Sequence, residues 1–435
     1  MTTMFASLNH RAYRLWFAGA LVANVGTWMQ RIAQDWLVYT DLSAESGIAI
    51  GTVTALQFLP ALLLGPYAGL LADRLPRRGL LMLTQALMGL LALGLGLLVL
   101  LGEATLWHVW LFALGLGVVS ALDNPVRQTF VAELVPNETL PNAVALNSAS
   151  FNAARLIGPA VSGLAIAAFG AGWVFVINAV SFVFTIIALL AMRTSDLVPV
   201  PHAERAKGQL REGFAYLRRR SDLMLILVVI GVASAFGLNF QMTSAMMARS
   251  EFGQGAADYG ILGSIMAIGS LAGALLTARL GKPRVRRILV ASLLFGVTSC
   301  LMAMAPTYWT YAVATIPVGF FTLTMLTSAN TYMQTSTAPE MRGRVMAFYL
   351  MVLLGSTPIG SPVVGWIGET LGPRWSIGAG GIATVVIAAV GMAWARRRWD
   401  VELHYVPGAA RRTQRFQVTS AADRARVDEA AQEVA

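Results

Sequence analysis

Charge is scarce in this chain. Only 12% of its 435 residues are Asp, Glu, Lys or Arg, against 56% hydrophobic, where a soluble globular protein carries about 25% charged residues. A water-soluble fold cannot hide that much apolar surface, so a soluble multidomain enzyme is excluded and lipid must be the solvent. Cysteine is nearly absent. Cys300 stands by itself inside an apolar run, which excludes an intrachain disulfide or thiolate cluster and leaves a small buried hydrophobe. The four histidines, His10, His108, His202 and His404, are scattered and form neither a metal spacing nor a catalytic constellation. No Walker-type Gly-rich Lys loop occurs, so ATP is not hydrolysed in this chain. The amino end also lacks a short clean apolar core followed by a small-residue cleavage site. Its first apolar stretch follows Arg11 and Arg14 and is interrupted by Arg31 and Asp35, which reads as a retained helix.

What is present is a series of long apolar runs. A membrane-spanning helix needs about 20 mostly apolar residues, and twelve stretches qualify, near 14–39, 48–71, 79–101, 106–126, 143–169, 173–193, 223–247, 258–279, 287–305, 308–330, 345–371 and 375–395. Backbone amides in hydrocarbon must bond within their own segment, which makes these helices; short alternating strands of a β-barrel are not seen. The net charge of +10 lies in short clusters between the runs ("RLPRR", "LRRRS", "GKPRVRR", "ARRRW"), the pattern of cytoplasmic loops and not of a nucleic-acid-binding surface. With the amino end in the cytoplasm, 28 of the 32 Lys and Arg fall on that side, Arg249 and Arg374 fall outside, and Arg31 and Arg155 fall within helices. Both termini are therefore expected in the cytoplasm of a multi-pass protein of the inner, or plasma, membrane.

The helices divide six and six about the longest internal loop. This gives an amino-terminal bundle (1–193), a linker (194–222), a carboxy-terminal bundle (223–398) and a polar tail (399–435) expected to be disordered. Within the linker, "EGFAYLRRRSD" reads as an amphipathic helix on the inner surface with its arginines toward lipid headgroups. The two bundles look like repeats. Gly26 and Gln30 of helix one correspond to Gly237 and Gln241 of helix seven, and "VPNETLPNAVAL" before helix five parallels "APEMRGRVMAF" before helix eleven. Pro136 precedes Pro159 by 23 residues, as Pro339 precedes Pro362.

One loop departs from simple positive-inside anchoring. "GLLADRLPRRGLL" joins helices two and three and resembles the signature loop of the major facilitator superfamily, G-x-x-x-D-R-x-G-R-[RK]. Gly69, Asp73, Arg74, Arg77 and Arg78 match, with Pro76 in place of the usual Gly. The second half has only "ARLGKPRVRR", with Ala278 where the Asp would fall. Residues from about 10 to 398 share the resemblance, and "LGLGVVSALDNPVRQTFVAELVP", "NAVALNSASFNAARLIGPAVSG" and "PEMRGRVMAFY" are similar to the exporter branch that contains the enterobactin exporter and macrolide-efflux proteins. The resemblance implies a fold of twelve transmembrane helices, all α, in two pseudo-symmetric six-helix bundles. It also implies a cytoplasmic gate. Asp73 would meet the amino end of helix eleven, where free amides and the helix dipole favour an anion, and Arg77 would bridge to Asp123 at the end of helix four. Anchoring alone explains the arginines but not the Asp.

Charge inside the membrane is costly and usually faces a cavity. Arg31, Asp35, Asp123 and Arg155 lie in helices one, four and five, while helices three, six, nine and twelve carry none. In the superfamily those four helices form the outer scaffold. Asn24, Thr27, Arg31 and Gln34 form one stripe of helix one, and Ser148, Asn152, Arg155, Pro159 and Ser162 one stripe of helix five. Helix seven offers Ser234, Gln241 and Ser244 beside Met242, Met246 and Met247, a soft wall for a bulky amphiphile or simply packed core. Gly158, Pro159 and Gly163 partly match the antiporter motif of helix five; Ala154 stands where that motif has Gly, and close packing explains the residues equally well. Asp35 is the candidate proton-coupling group. Arginine stays charged, Asp123 is assigned to the gate and no His lies deep in a span; a fixed Arg31–Asp35 ion pair is the alternative.

These features point to a secondary active transporter, not an enzyme. The expected activity is proton-coupled export of a bulky amphiphilic small molecule, siderophore- or drug-like, by alternating access. An uptake symporter of the same fold is the second reading and a polytopic membrane enzyme a remote third. The expected partners are the small-molecule substrate, protons and the lipid bilayer, with no nucleic acid, no metal and no cofactor beyond the proton gradient, in a monomer.

Overall fold

A computed structural model describes residues 3–198, 209–280, 283–398, 402–405 and 416–419. For residues 3, 4, 66–74, 194, 209–211 and the last two segments it describes the backbone alone. The side chains of Asp73 and Arg74, and the surroundings of Gly69, thus lie outside the described residues. Helices one to six are Arg11–Leu37, Gly47–Arg74, Arg77–Leu100, Leu106–Phe130, Leu140–Phe169 and Ala171–Ala191. Helices seven to twelve occupy Ser221–Glu251, Ala256–Arg279, Val285–Ala303, Tyr308–Thr335, Pro339–Leu371 and Pro373–Arg398, helix seven being interrupted by wide turns. Eleven of the twelve are apolar enough to cross a membrane on composition alone. Helix one is the exception, with Arg14, Asn24, Gln30, Arg31, Gln34 and Asp35 spread along it.

The two halves repeat one plan, and glycines show it. A Cβ at Gly26 would stand 2.5 Å from Ser181 Oγ on helix six, and one at Gly237 would stand 2.7 Å from Phe295 on helix nine and 3.3 Å from Thr384 Oγ1 on helix twelve. The Gly-x-x-x-Gln pair thus fits helices one and seven against their scaffolds. Each of these helices also ends in a wide turn, Val38–Leu42 and Met247–Glu251. Within spans, Ser and Thr hydroxyls return to the carbonyl four residues back, as Thr277 does to Gly273 and Thr322 to Val318. No other acceptor is at hand in hydrocarbon.

Two crossings hold the halves together, helix two on helix eleven and helix five on helix eight. Both depend on backbone meeting backbone. A Cβ at Gly51 would stand 2.5 Å from the Ser361 carbonyl oxygen, and one at Gly163 would stand 2.5 Å from that of Ala256. Gly47 faces Gly365, and Gly260 faces the Pro159 carbonyl, as closely. Ser361 Oγ donates to Gly51 O (3.0 Å) and Ser264 Oγ to Leu156 O (2.6 Å) across the same seams. Lipid offers no hydrophobic drive for helix association, so close approach at small residues supplies the contact.

The linker differs from expectation. Its helix, Gln209–Arg219, docks on the start of helix eleven instead of lying against lipid alone. Glu212 pairs with Arg344 (2.5 Å), Phe214 meets Phe348 with ring centroids 6.1 Å apart, and Leu217 is buried. In the tail, Glu402–Tyr405 and Phe416–Thr419 pair antiparallel where polar composition predicts no regular structure. Leu403, Tyr405, Phe416 and Val418 give these two short segments a strand-forming content that the tail as a whole lacks.

The Gly163 seam can be tested directly. In Gly163→Leu, overpacking against the Ala256 carbonyl should cost this arrangement about 1–3 kcal/mol, a shift of about 5- to 150-fold in a two-state equilibrium. Thiol-reactive labelling of a cysteine placed at Ser264 should rise in that variant. Labelling equal to that of the Gly163 parent would show that the seam does not limit opening.

Candidate functional site

The membrane centre of the amino-terminal half holds two guanidinium groups and one indole. Arg31 lies one turn beyond Trp28 on helix one, with its guanidinium carbon 5.3 Å from the Trp28 ring centroid and 5.5 Å from that of Phe58. Arg155 comes from helix five to 5.7 Å from the same Trp28 ring. Helix five approaches this closely because Gly158 packs on helix one, where a Cβ would stand 2.6 Å from Trp28 Cβ. Among the described residues no carboxylate lies within 4.0 Å of either arginine. Two like charges therefore stand against one aromatic ring, which suits a ligand that is both anionic and flat. Phe151, half exposed, stands edge-on to Trp28 at 5.8 Å and extends this wall.

Asp35 is buried one turn beyond Arg31, toward the face away from the arginine clusters. It makes no ion pair within 4.0 Å among the described residues, so the fixed Arg31–Asp35 bridge is absent here. The Tyr259 hydroxyl of helix eight lies within reach of Asp35 and donates to the Gln241 carbonyl (3.1 Å). Trp36, next in sequence, stacks on the Tyr259 ring at 5.6 Å. The carboxyl group thus sits where the two halves touch.

The other polar candidates divide. Gln34 and Gln241 are inside the protein with their side-chain amide nitrogens unpartnered. Thr27 and Asn152 return to their own helix, to Ala23 O (2.8 Å) and Ser148 O (2.8 Å). Asn24 faces helix four, accepting from Arg127 (3.4 Å). Met242, Met246 and Met247 are fully buried. They are packed core, with Met246 filling the space beside Gly47 and Gly368, and do not form a soft cavity wall.

The gate charges need one correction. Arg77 is not paired with Asp123; it bonds Glu133 at 2.5 Å. Arg77 opens helix three, and Asp123 is level with Thr84, seven residues on, about 10 Å along the axis. Glu133, in the turn after helix four, is at the right depth. Asp123 instead accepts from Thr84 Oγ1 (2.7 Å), Gln85 Nε2 (2.8 Å) and Arg127 Nε (3.0 Å), a buried network joining helices three and four. Arg78 donates to the Leu189 (2.9 Å) and Leu190 (3.3 Å) carbonyls at the end of helix six, where a cation meets the negative end of the dipole.

A second set of charged and polar residues joins the halves at the opposite face. Glu45 takes Arg249 (3.0 Å) and Ser250 Oγ (2.7 Å) across the halves, and Ser250 also meets Tyr39 (2.6 Å). Glu369, near the end of helix eleven, accepts from Ser46 Oγ (2.7 Å) and Ile48 N (3.1 Å) at the start of helix two. Every hydrogen bond found between the halves among the described residues lies from mid-depth to this face; none joins them at the arginine-rich face. Glu45, Arg249, Glu369, Tyr259, Trp28, Arg127 and Glu133 were not singled out from sequence. Only Arg127, four residues after Asp123, had a readable signal.

The Glu369 contact predicts an effect of charge removal. Glu369→Gln keeps a hydrogen-bond acceptor but loses the anion at the helix-two amino end, about 0.5–1 kcal/mol at an exposed site. Crosslinking of a cysteine pair placed at residues 46 and 370 should fall by about two- to fivefold. Unchanged crosslinking would remove Glu369 from the closure.

The chain matches, over residues 2–424, a major facilitator family model described as transmembrane secretion effector. It is similar to a staphyloferrin A transporter of Staphylococcus aureus, 23% identical over 380 residues covering 87% of this chain and 94% of the relative. It is also similar to an enterobactin exporter of Escherichia coli, 24% identical over 391 residues covering 88% and 91%. Among solved structures it shares its fold with a bacterial homologue of the human lysosomal transporter Spinster, in an inward-facing, unoccupied conformation (TM-score 0.67, 17% identity, 89% of this chain and 97% of that one). A D-xylose–proton symporter is similar too (TM-score 0.69, 13% identity, 88% and 96%). Twelve membrane helices in two pseudo-symmetric bundles and a family match over nearly the whole chain lead to one conclusion: this protein belongs to the transmembrane secretion effector family of major facilitator transporters.

Proposed function

We propose that the protein is a proton-coupled exporter of an anionic, aromatic-bearing small molecule of the siderophore type, working as a monomer by alternating access. The observation that carries this reading is the Arg31–Arg155 pair on Trp28 with no carboxylate within 4.0 Å among the described residues. An Arg at the centre of a spanning helix costs at least about 2.5–3.5 kcal/mol on insertion scales, and a second beside it adds repulsion. An anionic ligand offsets both. The relatives named for siderophore transport support the substrate class, and the enterobactin exporter supports the direction; the fold alone does not, since it serves symporters as well.

The arginine-rich face is assigned to the cytoplasm by the positive-inside bias. The arrangement described above is then the inward-open state, with the outer face held by Glu45, Arg249 and Glu369. The rigid units are residues 1–193 and 223–398, joined by the linker 194–222. In the outward-open state, Asp73 would close the inner face on the amino end of helix eleven. Asp35 is the coupling group in this scheme. Arg31 lies one turn from it on the same helix, and in this scheme Tyr259 engages it only while the outer halves touch. Substrate that draws Arg31 away frees Asp35 to take the proton.

Everted membrane vesicles containing the wild-type protein should accumulate a labelled catecholate or hydroxycarboxylate siderophore when their interior is acidified. Arg155→Leu should abolish this with the protein still monodisperse. Asp35→Asn should keep substrate exchange but lose accumulation driven by the pH gradient. Uptake into right-side-out vesicles down a proton gradient would establish the symporter instead, and gradient-driven export by the Asp35 variant at the wild-type rate would remove Asp35 from coupling.

A further inference from the structure

The charge chemistry of the two halves differs at the start of helices three and nine. Helices three and nine are equivalent scaffold helices, and each begins in arginines at the same face: Arg77 and Arg78 in one, Arg284, Arg286 and Arg287 in the other. Cations there oppose the positive end of the helix dipole. In helix three, protein groups offset this, Glu133 taking Arg77 and the end of helix six taking Arg78. In helix nine no acid among the described residues comes within 4.0 Å of Arg284 or Arg286. Arg287 donates to the Leu280 carbonyl (2.9 Å). Arg284 and Arg286 are exposed, and neither enters an ion pair within 4.0 Å among the described residues.

The same arginines rim a cavity of about 390 Å³ between helices eight, nine and ten. Below the rim its wall is apolar, with Leu276, Val290, Leu294, Phe320 and Phe321. Leu276, Val290 and Leu294 are partly exposed on the outside of the bundle, so the cavity opens toward lipid and not toward the path between the halves. A cationic rim over an apolar slot at the level of the headgroups matches one class of molecule, with charge above and chain below.

We propose that this groove is a binding site for an anionic phospholipid of the inner leaflet. The headgroup phosphate sits at the amino end of helix nine among Arg284, Arg286 and Arg287, and an acyl chain lies along Leu294, Phe320 and Phe321. The phosphate supplies the anion that Glu133 supplies in the other half, and the helix-nine dipole adds to its attraction. Basic pockets between spanning helices on the inner side take anionic headgroups for the same reason. The site is independent of the transport direction and of the substrate.

Native mass spectrometry of the purified full chain tests this. Phosphatidylglycerol should be retained about tenfold more than phosphatidylcholine of the same chains, and excess inorganic phosphate should not displace it. Arg284→Gln, Arg286→Gln and Arg287→Gln combined should remove that preference. The charge-matched control, Arg396→Gln, Arg397→Gln and Arg398→Gln combined, should keep it. Leu294→Trp, which fills the slot and leaves every arginine, should weaken retention of both lipids at this site. Equal retention of the two lipids by the wild type, or equal loss in the two charge variants, would overturn the proposal in favour of general anchoring. Displacement by inorganic phosphate alone would overturn it in favour of a free-anion site.

Discussion

Hydrocarbon supplies no hydrogen bonds, and that constraint organises the rest of this molecule. Each span must close its backbone bonds internally, so nothing polar in the main chain is left to join one helix to the next. What remains is shape. At the two crossings between the halves, glycines let carbonyl oxygens approach to the distance a methyl group would occupy. These contacts have modest energy and no directional bonding beyond a few serines, and a seam of this kind can part and re-form as alternating access requires.

The same constraint decides where charge is tolerated. Asp123 is buried yet fully engaged by Thr84, Gln85 and Arg127, so it serves as a structural joint within one half. Arg31 and Arg155 are different, because their main neighbour is an indole face and their own like charge. Groups whose bonds are complete tie helices together within a half, and the two arginines are the groups on which the proposed substrate site rests. At the membrane surface, Arg77 with its Glu133 partner contrasts with the exposed Arg284 and Arg286 in the same way.

Helices two and eleven run antiparallel, and the acid at the end of one reaches the start of the other. Glu369 of helix eleven does so at the closed face. The signature loop carries Asp73 at the matching end of helix two. Because these two helices run in opposite directions, an acid stands near the end of each, one toward either face.

The sequence by itself determined the solvent, the number and limits of the helices, their division into repeats and the presence of charge in helices one, four and five. Each of these follows from run length, periodicity or composition, which are local properties. Helix one shows how firm they are, since Arg31 and Asp35 did not hide it. Partners were another matter. Asp123 was the acid expected for Arg77, but Arg77 bonds Glu133 because of depth along helix three, a coordinate that sequence does not carry. That Met246 fills a seam, that Trp28 lies under two arginines and that Asp35 faces Tyr259 of the other half depend on how the halves meet. Contacts between residues more than a hundred positions apart are fixed by helix rotation and depth, and only the tertiary structure decides those.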